Sequence, residues 1–182
     1  MDMLLLNFTH YYHDYSVLWG NLTPEEQALC MHPMHYEALR HRIPYMFQCV
    51  CDSNGRPKSY RKYNVSAIGF AYNSTLEKYG TFLGVNIKPI ENMRTTCAEA
   101  VVMGSALAAG YDVIIAIMVA GVPQEGDERE VLYPCDNCLL TLQVISEVPE
   151  DAYYISWNPS NNLMRMMSIG EILKANGYAK DR

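Results

Sequence analysis

Cys97-Ala98-Glu99 and, further along, Pro134-Cys135-Asp136-Asn137-Cys138 are the residues of this chain whose types and spacing could do chemistry. Three thiols can hold a divalent ion such as zinc, and a tetrahedral ion with three protein ligands keeps one position open. That open position separates a catalytic zinc from a closed structural one. Glu99 stands two residues past Cys97, close to such an ion without being forced to ligate it. A carboxylate there can take a proton from an attacking water and hand it to a leaving amine. Two plainer readings compete: a structural zinc closed by a distant fourth cysteine, and a chance Cys-x-Glu beside an unrelated Cys-x-x-Cys.

The elements that must bring these residues together are legible as patterns. Residues 97–109 read as an apolar helix, ended by Gly110 as its C-terminal cap. Pro134 stands where a first-turn proline belongs, and Leu139, Leu140, Leu142 and Val144 continue a second apolar helix. Cys97 and Cys135 therefore open two helices, where free backbone N–H groups and the positive dipole end favour thiolates. Cys135 and Cys138 are three apart and share a helix face. Residues 65–72 and 81–87 predict an antiparallel hairpin, and the apolar run 112–120 a central buried strand. Residues 153–157 and 163–167 predict two further strands, and 169–174 a short closing helix. The expected fold is a three-layer α/β/α domain with a mixed five-stranded sheet.

Composition narrows the function classes. With 182 residues, 49% hydrophobic and 19% charged, the chain is long enough for one compact domain with a sizeable core. A net charge of −6 argues against nucleic acid as partner, because phosphate binding needs clustered Lys and Arg, and against an anionic membrane surface for the same reason. Met3-Leu4-Leu5-Leu6 is too short for a signal core, and no segment approaches membrane-spanning length. A reducing, cytoplasmic setting is the expectation.

Residues 1–59 read as an extension with a helical segment that packs on a body formed by 60–182. Phe8, Tyr11, Tyr12, Tyr15 and Trp19 suggest an arm, with His10 and His13 as surface or packing residues. Thr23-Pro24-Glu25-Glu26 is a capping-box helix start. Pro33 interrupts that helix, which is expected to resume over 34–42 before Pro44 stops it. Cys30, His32, His35, His41, Cys49 and Cys51 could form a second metal site, but their spacing fits no familiar finger, and buried thiols on a polar helix are the simpler reading. Residues 52–62 read as a loop carrying four positive charges.

The element order and motifs resemble the cytidine deaminase family over about residues 60–178, and within it the blasticidin S deaminases. The matching stretches are Tyr63-Asn64-Val65, Gly84-Val85-Asn86-Ile87, Cys97 to Gly104, Pro134 to Cys138 and Ile169 to Leu173. The cysteine–glutamate signature is that of zinc-dependent deaminases. The resemblance implies a tetrameric, cytoplasmic zinc aminohydrolase acting on a small cytosine-type substrate. Cys97, Cys135 and Cys138 would hold Zn2+, and Glu99 would be the catalytic proton shuttle. Asn86 would bond the sugar, Asn64 would take the place of a substrate-contacting serine, and the Ala98 backbone N–H would face the base carbonyl.

Two departures from the family stand out. Lys88 stands where a ribose-binding glutamate is usual, and Ala100 and Asn137 stand where an arginine offsets the thiolates, which makes Arg94 the candidate substitute cation. Lys88 beside the acidic stretch Glu125, Asp127, Glu128 and Glu130 suggests a zwitterionic substrate. The alternative is a non-catalytic, zinc-stabilised subunit or binding protein of the same fold.

Overall fold

The apolar run Val113–Gly121, with valine and isoleucine prominent, forms a strand buried along nearly all its length. It sits inside a mixed sheet, as expected of a strand covered on both faces. The computed structural model describes residues 5–6, 33–54, 58–59, 64–88, 90, 95–126, 128–144 and 152–178. In chain order these form β1 (Leu5–Leu6), α1 (Pro33–Ser53), β2 (Lys58–Ser59), β3 (Val65–Asn73), β4 (Lys78–Val85), β5 (Ile87–Lys88), α2 (Ala98–Ala108), β6 (Val113–Gly121), α3 (Asp136–Val144), β7 (Tyr153–Asn158), β8 (Leu163–Ser168) and α4 (Ile169–Ala175). The five expected strands are present, and the two-residue β1 extends them at one edge, giving the order β1-β8-β7-β6-β3-β4. β6 and β7 run parallel, while β3–β4, β3–β6, β7–β8 and β1–β8 are antiparallel.

Alternation along the strands sorts side chains into two cores. Val65, Ala67, Ala71, Ile117, Val119 and Tyr154 pack with α2, α3 and α4. Ile68, Phe70, Met118, Ala120 and Ile155 pack with α1. The register of β3 against β6 shifts between Phe70 and Ala71, leaving Ile115 as the extra residue of a bulge. Ile114 accordingly faces the first core while Ile115 and Ala116 both join the second. The three layers are thus α1, the sheet, and α2 with α3 and α4.

Pro44 does not stop the first described helix, contrary to the sequence expectation: α1 runs through it to Ser53. Proline inside a helix costs about 3 kcal/mol. Against that, α1 buries Tyr36 and Leu39 before the proline and Met46 and Val50 after it. Each such side chain contributes roughly 1.5–3 kcal/mol, so packing outweighs the break. Residues 52–62 are not wholly loop either, since Lys58–Ser59 pairs in parallel with Ile87–Lys88. The arm aromatics, His10, His13, the capping box, Cys30 and His32 lie outside the described residues. Among the described residues, no helix is long and apolar enough to cross a membrane.

Candidate metal centre

Cys97 and Cys135 each sit at the mouth of a helix. The Cys97 carbonyl accepts from Val101 N at 3.2 Å and the Cys135 carbonyl from Leu139 N at 2.9 Å, the first bonds of α2 and α3. Pro134 stands one residue before that position rather than inside the first turn, where its lack of an N–H is equally harmless. α2 is seated by two glycines: a Cβ at Gly84 would collide with the Ala98 carbonyl oxygen, and one at Gly69 with the Val102 side chain. Their absent side chains let the helix start lie on the β3–β4 hairpin. Ile87 and Thr96 exchange backbone hydrogen bonds at 3.0 Å, which ties the Asn86–Lys88 segment to the residue before Cys97.

The thiols converge. The Cys135 sulfur lies 3.3 Å from that of Cys97 and 3.6 Å from that of Cys138, and all three fall within 4.8 Å of one another. Sulfurs held about 2.3 Å from a tetrahedral zinc would stand roughly 3.8 Å apart, so small side-chain adjustments admit the ion. The donor chemistry fits as well. Hydrogen bonding with the Cys138 and Cys97 thiols, and from the backbone N–H groups of Cys138 and Asn137, lowers the Cys135 thiol to about 2. Cys97 is pushed up to about 12, chiefly by its hydrogen bond with Cys135, and Cys138 is raised for the same reason. The three sulfurs titrate as one unit. Among the described residues this is the one cluster of three or more His, Cys, Asp or Glu side chains able to hold a metal.

Glu99 is the second residue of α2 and only 6% exposed. Burial pushes its carboxyl up, its own backbone N–H works the other way, and charge on Cys135 adds to the rise. The Tyr154 hydroxyl, on β7, donates to Glu99 Oε1 at 3.3 Å. Sequence reasoning missed Tyr154. The only signal for it was a tyrosine at an inward position of a strand, and its partner is 55 residues away.

The other expected site residues take these places. Asn86 is buried, and its Oδ1 accepts from Val65 N at 3.0 Å. A role toward a ligand would therefore use its Nδ2 donor. Asn64 is half-buried just before β3, and Ala98 is fully buried as the first residue of α2. Its N–H is one of the helix-terminal donors with no intrahelical acceptor. Lys88 is half-buried at the end of β5, in register with Ser59. Arg94 and Asp127 lie outside the described residues. Glu130 is ion-paired with Arg165. Both line a cavity of about 420 Å³ with Glu128, Arg129, Val131 and Tyr133, on the segment leading into Cys135.

No protein-family model matches the chain, and no curated protein does. Solved structures do. A cytidine deaminase from Burkholderia pseudomallei is similar with a TM-score of 0.55 at 21% identity, over 70% of this chain and 93% of that one. A cytidine deaminase from Mycobacterium leprae is similar with a TM-score of 0.51 at 17% identity, over 71% and 95%. The fold is therefore that of the cytidine deaminases. On that fold this chain brings together three cysteines able to take a metal.

Proposed function

We propose that the protein is a zinc-dependent hydrolytic deaminase of a cytosine-type nucleoside or nucleoside antibiotic. The observation that carries this is a buried carboxylate, Glu99, set beside three converging thiols at two helix mouths. A closed structural zinc needs a fourth ligand, and Glu99 does not fall in the group of side chains placed to share one ion. Zinc held by Cys97, Cys135 and Cys138 would supply Lewis acidity to the attacking water. The remaining roles fall to the chain. Glu99 takes the proton from that water and delivers it to the departing amine, so that ammonia leaves. The Ala98 N–H holds the base carbonyl, and Asn86 and Asn64 border the sugar.

Lys88 would give the sugar end a positive charge, and the segment carrying Glu125 and Glu128 leads in sequence into Cys135. A substrate with a carboxylate and a cationic tail, as in blasticidin S, suits both. Ammonia release from the purified protein should be assayed across cytidine, cytosine nucleotides and blasticidin S. Turnover is expected, fastest with the zwitterionic compound. No ammonia from any of them sinks the deaminase reading, and a preference for plain cytidine removes Lys88 from substrate choice.

The protein is also proposed to act as a homo-oligomer, a tetramer by analogy with the family. The small residues Gly104, Ser105, Ala108 and Ala109 lie exposed on α2, as close packing of a second copy requires. Light scattering that gives a monomer mass at micromolar concentration would refute it.

A further inference from the structure

We propose that Tyr154 is the positioning residue of Glu99, holding Oε1 so that the second carboxylate oxygen is aimed at the reacting centre. This rests on the deaminase reading above. Tyr154 has no exposed surface, and its ring packs in the core shared by Ala98, Met103 and Leu139. It can touch neither solvent nor substrate, so its influence has to pass through Glu99.

Three features make the contact more than a tyrosine finding a partner. The carboxylate is itself buried, so each of its oxygens needs a donor, and losing one costs more than the bond is worth in water. Oε1 accepts from the phenol at 3.3 Å, which restrains rotation about the last side-chain torsion. The donor also stands on a rigid support. β7 lies between β6 and β8, with Tyr154 in register with Ile117 on one side and Met167 on the other. Glu99, by contrast, is carried by the first turn of α2, whose N–H groups have no intrahelical acceptor. The sheet interior thus fixes the direction of a carboxylate carried by a helix end. Geometry of this kind is what a second layer of contacts supplies to a catalytic group.

The test is Tyr154→Phe, which keeps the ring and deletes the donor. Metal content should stay at the parent value, Tm should fall by no more than several degrees for the lost buried donor, KM should hold within about twofold, and kcat should fall on the order of 10–100-fold, as for a reacting group displaced by about 1 Å. In a Glu99→Ala background the same change should cost nothing further in kcat. A merely structural tyrosine would lower both backgrounds alike, and that result, or a parent-like kcat, overturns the proposal. If the parent releases no ammonia, the deaminase reading fails by itself. The crystal structure of Tyr154→Phe then decides the present point. A Glu99 carboxylate in the parent rotamer overturns it, and a rotated one with the three sulfurs unmoved sustains it.

Discussion

The face of the sheet covered by α1 and the face covered by α2 and α3 both carry cysteines, but among the described residues only the second gathers them. On α1, Cys49 and Cys51 are two apart within one helix, a spacing that points side chains in different directions. His35 on the same helix is taken up by aromatic neighbours: its Nδ1 lies 3.1 Å from the Tyr79 hydroxyl and its ring 4.8 Å from that of Tyr72. His41 faces Glu37 at the surface. On the opposite face, Cys97 and Cys135 stand at the mouths of two helices, and the Cys135 sulfur lies 3.3 Å from that of Cys97 and 3.6 Å from that of Cys138. Residue type alone does not make a metal centre. Placing the residues where two chain segments terminate against one another does.

The largest effect that separates the faces is metal loss. Cys135→Ala should abolish zinc retention from about one ion per chain and depress folding, since metal binding is coupled to folding. Cys49→Ala and Cys51→Ala should keep the full content. Elemental analysis of the three variants decides, and zinc retained in Cys135→Ala refutes the site. Next, Glu99→Gln should hold zinc and fold while turnover falls ~10²–10⁴-fold, the usual worth of general acid–base help. Activity within a few-fold of the parent would take Glu99 out of the mechanism. On the other face, Met46→Ala should cost about 2–5 kcal/mol in denaturant unfolding, because Met46 is fully buried against the sheet, yet leave zinc content alone. A drop in zinc there would mean that the two faces are not energetically separable.

The smallest effect lies at the hairpin end. The Ser74 hydroxyl and backbone N–H donate to the Asp112 carboxylate and hold its pKa below the usual aspartate value. A depressed carboxylate adds stability that is fully present above its unfolded pKa and is lost as pH falls through its folded pKa. Ser74→Ala should therefore lower Tm by a few degrees at most near neutrality. The difference should vanish in acid, once the carboxyl is protonated in both proteins. Thermal melts at both ends of that range test it, and a gap that persists in acid would assign the effect to something other than this pair.

The metal cluster was legible because its spacings are local. One residue separates Cys97 from Glu99, two separate Cys135 from Cys138, and the end of one helix and the start of the other leave their marks in Gly110 and Pro134. The long strands and the mixed sheet were legible from alternation and apolar runs. What stayed hidden depends on contacts between distant segments. The continuation of α1 through Pro44 is decided by Met46 and Val50 meeting a sheet that local propensity knows nothing about. The bulge at Ile115 and the pairing of β2 with β5 are matters of register. Tyr154 meets Glu99 only because β7 lies parallel to β6, which no spacing in the sequence records.

The two helix mouths also have a consequence for the unfolded chain. Cys97 and Cys135 are 38 residues apart, on either side of β6. An ion held by both closes a ring around the central strand, much as a covalent bridge of that span would. On a chain-entropy estimate such a closure removes about 4 kcal/mol of freedom from the unfolded ensemble. The same three sulfurs would then serve as a latch across that span, one that a chelator opens.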